Sequence, residues 1–393
     1  MMTTPELIPF NKPAFLGEEP HYIAEAVHAN GYGHLSGDGP ATKKCSAVLA
    51  EYLNVKTPLL THSCTGALEM TALLMDLQEG DEVICPSYTF VTSASAFALS
   101  GAKLVFVDIR PDTMNLDEEK IEAAITDKTK AIVAVHYAGV SCEMDRILEI
   151  ANKHNIYVVE DAAQAIGSTY KGRKCGTMGH MACFSFHETK NIVCGEGGAL
   201  IVNEASLYEK AEIIREKGTN RSKFFRGQVD KYTWVDLGSS FLLSDLNAAY
   251  LYPQLKSIDK INGRRRELWQ HYWDTFQDTL PIKGVRLPET PPECAHNAHM
   301  FYLRFPDQQK RAEFISHMKE QNIWTVFHYI PLHSAPAGRK HGRVSGQMTN
   351  TDTVSETLVR LPLYYNMTDE EQNRVIDKTL AFISNMKHKT VAA

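Results

Sequence analysis

Two short stretches of this chain hold residue types that can do chemistry together. One is Cys183-Phe-Ser-Phe-His-Glu-Thr-Lys190, followed at once by Asn191-Ile-Val-Cys-Gly-Glu-Gly-Gly198. The other is Tyr157-Val-Val-Glu-Asp161-Ala-Ala-Gln164. Each begins as an apolar, strand-like run and leads to a polar group, a carboxylate at Asp161 and an amine at Lys190. Burying a lysine is costly, so most lysines stay in water. A lysine at the mouth of a sheet is suited instead to a Schiff base with an aldehyde cofactor. A carboxylate against a pyridine nitrogen keeps that nitrogen protonated, and the ring then acts as an electron sink. An acid and a lysine at the ends of neighbouring strands therefore point to pyridoxal phosphate. Plainer alternatives stand beside each residue: Asp161 as a cap on a helix starting Ala162-Ala-Gln, Lys190 as a surface charge beginning a loop. Glu160 competes with Asp161, but neighbours in an extended strand point to opposite sides.

The same cofactor makes further demands. Its phosphate needs backbone N–H groups at a helix start and small hydroxyl side chains. Thr61-His-Ser-Cys-Thr-Gly66 supplies Ser63, Thr65 and Gly66 at the opening of an apolar helix, and a plain helix cap is the alternative. Ser185 faces the same side of its strand as Cys183 and is a further phosphate candidate. Phe90, in Ser87-Tyr-Thr-Phe90, is placed to stack on a ring, or else is a core aromatic. Gln164, one short turn after Asp161, is the candidate partner for the ring's phenolic oxygen. Acid, lysine, small-residue cap and aromatic all fall at strand ends of one sheet, and the combination favours the cofactor reading over the separate alternatives.

Positioning these groups falls to a repeating pattern of elements. Strands are predicted over residues 82–85, 104–108, 131–136, 157–160, 183–186 and 199–203, short and rich in Val, Ile and Phe, as for strands covered on both faces. Helices are predicted over 66–77, 90–99, 117–125 and 144–154. This alternation implies right-handed crossovers and an α/β fold with a mostly parallel sheet sandwiched by helices. Ligands of such sheets bind outside the carboxyl ends of the strands. Helices follow over 204–217 and 244–255, separated by the basic and aromatic loop Gly218-Thr-Asn-Arg-Ser-Lys-Phe-Phe-Arg-Gly227. Beyond a boundary near residues 255–265, strands over 300–305 and 323–327 mix with helices over 308–321 and 370–385. Residues 1–258 are thus expected to form a large cofactor-binding domain, and 259–393 a smaller α+β domain. Residues 335–351 are expected to be a mobile loop.

Bulk properties exclude several classes. The chain has 393 residues, 44% hydrophobic and 22% charged, with a net charge of −6 and no long run of one sign. Nucleic acid is not the expected partner, since phosphate contacts need clustered Lys and Arg. No spanning helix is expected, and Met1-Met-Thr-Thr-Pro does not open as a signal peptide. The eight scattered cysteines form no C-x-x-C pair and suit reduced thiols in the cytoplasm. The sixteen histidines show no zinc spacing, so no metal site is expected. Gly195-Glu-Gly-Gly198 lacks dinucleotide spacing, and neither a Walker A nor a G-x-S-x-G sequence occurs.

Val159-Glu-Asp-Ala-Ala-Gln164 and Phe184-Ser-Phe-His-Glu-Thr-Lys190 resemble the hallmark of the sugar-nucleotide aminotransferases, the DegT/DnrJ/StrS group. Further matches are Ser36-Gly-Asp-Gly39, Gly80-Asp-Glu-Val-Ile-Cys-Pro-Ser-Tyr-Thr-Phe90, Val107-Asp108 and Ser355-Glu-Thr-Leu-Val-Arg-Leu-Pro-Leu363. The resemblance covers roughly residues 8–385. It implies the fold of aspartate aminotransferase (fold type I), pyridoxal 5'-phosphate as cofactor, and a homodimer whose sites are shared between subunits. It also implies that Lys190 is both the cofactor's anchor and the proton carrier. L-glutamate would give up its amino group and leave as 2-oxoglutarate, and a keto sugar would then receive it.

Gly218 to Trp234, Gly238-Ser-Ser240, Asn297-Ala-His-Met-Phe301 and Phe327-His-Tyr-Ile-Pro-Leu-His333 look closest to one branch. That branch aminates dTDP-4-oxo-6-deoxy-D-glucose to dTDP-4-amino-4,6-dideoxy-D-galactose for enterobacterial common antigen. Many relatives carry an asparagine after the glycine near 238, where it reaches a neighbouring subunit's cofactor phosphate; here that role passes to Ser240. Candidates for the substrate are Gly37, Asp38 and Gly39 through their backbone, Arg221, Lys223 and Arg226 in the basic loop, and His187, His328 and Tyr329 around the sugar. The loop's alternative is a solvated or interface surface, and that of His328 and Tyr329 a core pair. Other readings are a 3-oxo or equatorial 4-amino sugar aminotransferase, a sugar dehydratase, whose relatives carry histidine in place of the lysine, and a non-catalytic regulator with the same fold.

Overall fold

Short runs of Val, Ile, Ala and Phe, hidden from water on both faces, pair into an eight-stranded sheet. The structure, a computed structural model, describes residues 6–28, 33 and 35–386. In spatial order the strands are Leu59–Thr61, Gly198–Val202, Met181–Ser185, Tyr157–Asp161, Thr129–Val135, Glu82–Pro86, Lys103–Val107 and Gly342–Val344. Gly198–Val202 runs against its neighbours and the other strands run together. A mostly parallel α/β sheet is therefore what the strand–helix alternation becomes.

The period-2 alternation of each strand splits its residues between two cores. Val133, Val135, Val159, Met181, Cys183 and Leu200 pack on one side with the helices Cys64–Leu74, Thr92–Ala98 and Tyr208–Arg215. Ala182, Phe184, Ala199 and Ile201 pack on the other with Pro40–Leu53 and Asp245–Lys256, and Ile132, Ala134 and Val158 with Met144–His154. Register then fixes height. Val135 lies opposite Asp161, and Asp161 opposite Cys183. The carboxyl ends of three parallel strands thus stand level, with Val135, Asp161 and Ser185 facing the same way.

A second, antiparallel sheet forms from Phe301–Arg304, Leu358–Leu361 and Val326–Phe327. It is packed by the helices Ile258–Phe276, Gln308–Glu320 and Asp369–Ser384 around a separate core that includes Tyr272, Phe301, Phe314 and Val375. The last helix opens with a full capping box between Thr368 and Glu371. Near the amino end, Ile8 exchanges backbone hydrogen bonds with Asn322 and Trp324, both 2.9 Å. That pairing carries Phe10 and Asn11 across to the large sheet's rim.

Four local expectations change, the first being that the basic loop over 218–227 holds the short helix Arg221–Phe225. Residues 335–351 are not a loop: they hold the helix Pro336–His341, the strand Gly342–Val344 and the start of the helix Thr349–Thr357. Lys103–Val107 would otherwise be an edge with open N–H and C=O groups. Gly342–Val344 pairs with it in parallel, and Arg343 meets Glu82 at 2.8 Å. Residues 117–125 form two 3-10 turns, Glu118–Lys120 and Glu122–Ala124, because Asp117 caps the first and Glu118 and Lys120 are drawn to Arg110 and Asp108. The strand expected over 323–327 shrinks to Val326–Phe327, the only part that reaches Leu358–Leu361. We propose 258/259 as the boundary between large and small domains, with Gly342–Val344 as a return of the later part to the large sheet.

Gly198 shows how tightly the rim is built. A Cβ there would lie 2.5 Å from Cys64 N and from the carbonyl carbon of Ser63, backbone that cannot swing away. Gly263, inside Ile258–Phe276, would meet nothing within 4 Å. Urea unfolding is expected to show Gly198→Ala losing about 1–3 kcal/mol and Gly263→Ala gaining roughly 0.5–1 kcal/mol. An unchanged Gly198→Ala protein would contradict the close approach.

Candidate active site

A cavity of about 760 Å³ opens at the level carboxyl ends. Asp161 reaches it from the last position of its strand. Its carboxylate accepts from Ser93 Oγ at 2.6 Å and from the Ala163 backbone at 3.1 Å, and Ser93 is within 2.8 Å of Thr89 Oγ1. Those bonds fix the carboxylate's orientation. They also satisfy the capping alternative in part, since the bond from Ala163 is a local turn. Glu160 faces the opposite way, fully buried against His136 at 2.9 Å, and accepts backbone N–H from Gly176, Met178 and Gly179.

Lys190 lies in a turn just past Met181–Ser185, closed by its backbone N–H to His187 O at 2.9 Å. Its side chain lines the cavity. Burial pushes its ammonium below the ordinary lysine range, and the Arg360 charge acts in the same sense, while Cys64 and Asp161 oppose. The segment is anchored from behind: Asn191 donates to Asn262 Oδ1 at 2.8 Å and to Asn297 O at 2.9 Å, and its own Oδ1 is 3.0 Å from His299 Nδ1.

At one end of the cavity the helix Cys64–Leu74 begins, capped by Ser63, whose Oγ accepts from Gly66 N at 3.0 Å. Ser63, Thr65 and Ser185 line the cavity there. Gly66 does not line it: its missing Cβ makes room for the rings of His62 and Phe241, 2.7 and 3.1 Å from where it would stand. Phe90 lines the mouth and is 56% exposed, an aromatic face left without a flat partner among the described residues. Gln164 accepts from Ala138 N at 2.7 Å and donates to Tyr329 OH at 3.2 Å. An amide nitrogen carries two N–H bonds, so one remains for a ligand.

His187, His328 and Tyr329 line the cavity. His328 is 3.1 Å from Tyr137 OH, and its carbonyl accepts from Tyr88 OH. Burial, with Arg360 adding to it, pushes His328 well below the usual histidine range. The remaining expected residues are not brought here. Asp38 is clamped by Arg215 at 2.7 and 2.8 Å, in a turn whose Gly37 packs on Leu242 and whose Gly39 precedes Pro40–Leu53. Arg221 pairs with Glu216 at 3.0 Å and Arg226 with Glu212 at 2.7 Å, while Lys223 meets Glu209. Ser240 bridges to Glu216 on an exposed segment.

Several lining groups had no expected role: Ser93, which holds Asp161, and Phe10, Asn11, His299 and Arg360. Arg360 carried a signal as a lone cation inside the apolar run Leu358-Val-Arg-Leu361, and His299 lies in the stretch Asn297-Ala-His-Met-Phe301. Among the described residues no cluster could hold a metal, and no helix is long and apolar enough to cross a membrane.

The residues present fit pyridoxal phosphate: hydroxyls and a helix start for the phosphate, an aromatic face, a fixed carboxylate, and an amine held below its ordinary range. Comparison with known proteins agrees. An uncharacterised protein of Methanocaldococcus jannaschii is 37% identical over 353 residues, 88% of this chain and 91% of its own. The spore coat polysaccharide biosynthesis protein SpsC of Bacillus subtilis is 33% identical over 378 residues, 94% of this chain and 95% of its own. Among solved structures, Spr1654 of Streptococcus pneumoniae, assigned as a sugar aminotransferase and solved in its PMP form, superposes with a TM-score of 0.87 at 26% identity, over 96% of this chain and 99% of its own. The chain thus shares the fold of that aminotransferase structure, and the family's model runs over residues 18–380 here. The chain belongs to the DegT/DnrJ/EryC1/StrS aminotransferase family, and its chemistry is transamination with pyridoxal phosphate.

Proposed function

We propose that this protein moves the amino group of L-glutamate to a nucleotide-linked keto sugar, with dTDP-4-oxo-6-deoxy-D-glucose as acceptor and dTDP-4-amino-4,6-dideoxy-D-galactose as product. The observation that carries the reading is one cavity joining a burial-depressed lysine, a doubly hydrogen-bonded aspartate and a hydroxyl-lined helix start. Support for a sugar comes from relatives named for polysaccharide biosynthesis and sugar amination. Support for the particular sugar comes from the stretches 218–234, 238–240, 297–301 and 327–333.

When bound, pyridoxal phosphate supplies an aldehyde that bonds amines and a ring that accepts an electron pair. Asp161 would hold the proton on the ring nitrogen, with Ser93 and Ala163 N keeping its carboxylate aimed. Thr65, Ser63, Ser185 and the start of Cys64–Leu74 would take the phosphate. Gly66 serves this end only by letting His62 and Phe241 pack, and Gln164 and Phe90 would hold the ring. Lys190, freed by the incoming donor, would take the proton from the α-carbon of glutamate. In the second half it would deliver a proton to C4 of the sugar. A lowered pKa suits both tasks, since more of the amine is neutral to take the first proton and its protonated form is then a readier donor for the second. His187, His328 and Tyr329 are the proposed sugar contacts.

We further propose a homodimer in the cytoplasm. Phe225, Trp234 and Leu237 are 69%, 73% and 68% exposed on the segment that carries Ser240, an apolar surface suited to a second copy. In such a dimer Ser240, Arg221 and Arg226 would act toward the partner's site, and the turn Gly37-Asp38-Gly39 would keep its backbone donors for substrate.

Lys190→Ala is expected to reduce turnover ~1,000-fold or more and to remove the absorption band of the lysine-bound cofactor; repeated turnover by this variant would overturn the role. In cofactor-free protein, the rate at which pyridoxal phosphate bonds to Lys190 should rise with pH and level off at a midpoint below 10.5, the ordinary lysine value. A midpoint at or above that value would contradict the burial effect. With L-glutamate and the dTDP-keto sugar, proton coupling constants should show an axial amine at C4. An equatorial amine, or amination at C3, would replace the galactose assignment.

A further inference from the structure

His62 is an exposed imidazole beside the helix start at one end of the cavity. Its backbone N–H donates to Phe241 O at 2.8 Å, and its ring leans on the Phe241 ring, with centroids 5.9 Å apart. Gly66 lies against the same imidazole: a Cβ there would stand 2.7 Å from His62 Cε1 and 3.2 Å from Nδ1. Held in this way, Nδ1 lies 2.9 Å from Ser63 Oγ. That hydroxyl caps Cys64–Leu74 and lines the cavity, whereas His62 itself does not line it. Among the described residues no other hydrogen bond or ion pair reaches the ring.

A serine hydroxyl has one proton to give and two lone pairs. Gly66 N–H fills one lone pair of Ser63 Oγ, at 3.0 Å. What remains depends on the imidazole. With a bare Nδ1, the ring takes the serine's proton, and the oxygen turns a lone pair toward the cavity. With Nδ1–H, the ring fills the second lone pair, and the serine's proton is left for the cavity. A neutral imidazole carries its proton on either nitrogen, and the cation carries one on each. Exposure lets water meet Nε2 in every form, so the protein by itself does not choose among them. An anion does choose, because a phosphate oxygen accepts hydrogen bonds and is repelled by a lone pair.

We infer that His62 is a positioning residue for the cofactor's phosphate: its Nδ1–H holds Ser63 Oγ so that the hydroxyl donates into the cavity. The inference rests on the reading of Ser63 as a phosphate ligand. Gly66 belongs to the same device, since a side chain there would displace the imidazole. His62 acts only through Ser63 and only on the phosphate, not on the aldehyde that meets Lys190.

The test uses full-length protein freed of cofactor and titrated with pyridoxal phosphate, or with pyridoxal, which lacks the phosphate. His62→Leu should weaken binding of pyridoxal phosphate about 10-fold, as for one lost hydrogen bond to a charged group, and leave pyridoxal unchanged. His62→Asn, whose amide nitrogen can take the place of Nδ1, should recover most of the loss. Gly66→Ala should reproduce the loss without adding to that of His62→Leu, and His62→Leu should cost nothing further in Ser63→Ala. A second measurement uses unmodified protein with nitrogen-labelled histidine, the His62 signal being assigned by its absence from His62→Asn. That signal should report a proton on Nδ1 once pyridoxal phosphate is bound. Equal losses for the two aldehydes, no recovery in His62→Asn, additive losses, or a bare Nδ1 in the loaded protein would each overturn the inference. If neither aldehyde bonds to Lys190, the aminotransferase reading falls instead. Inorganic phosphate then decides the inference, by bringing the proton to Nδ1 or leaving it bare.

Discussion

Strand register at the carboxyl rim is the constraint on which the site depends. Val135, Asp161 and Cys183 are paired at one height, and every second residue of those strands faces the same core. A slip of one residue would turn each side chain to the opposite face. Glu160 would then meet the cavity, and Asp161 would meet His136. The apolar halves of the strands prevent this, because Val159 and Val158 are buried in different cores. The choice between two adjacent acids is thus made by hydrophobic packing several residues away.

Glu160, though outside the cavity, contributes to it. Its carboxylate gathers His136 and the N–H groups of Gly176, Met178 and Gly179. Those hydrogen bonds hold the chain that leads into Met181–Ser185, and so to Lys190. Several N–H donors and a histidine keep that carboxylate below the usual range despite its burial. Two neighbouring acids therefore do separate work, one bracing the strand from behind and one facing the ligand.

Around the cavity the charges are unbalanced in a directed way. Lys190, His299 and His328 are each pushed toward the neutral form by burial, with Arg360 adding to it. A neutral amine and neutral imidazoles can take or pass protons, while the guanidinium keeps its charge. The two sheets meet across this space through Tyr88, Tyr137, Met300 and Tyr302, which pack as one apolar cluster. Groups from both sheets can then face one ligand.

Much of this was legible in the chain itself. The acid, the lysine, the small-residue helix start and Phe90 fall at the ends of apolar runs, and strand periodicity alone placed Ser185 with Cys183 and apart from Phe184. These features are local: they depend on side-chain type, spacing within a few residues, and the rule that parallel strands are covered on both faces. What sequence could not decide were matters of long-range approach. Ser93 reaches Asp161 across 68 residues, Asn297 pins Gln164 across 133, and Gly342–Val344 closes an edge strand far behind it in the chain. Asp38, Arg221 and Arg226 read as substrate candidates, Asp38 through its backbone, and only the fold showed each side chain paired with a charge. Arg360 had no role in the sequence reading, and only the fold showed it half-buried and lining the cavity. Periodicity determines which way a side chain faces; which distant group waits there is set by how the elements pack.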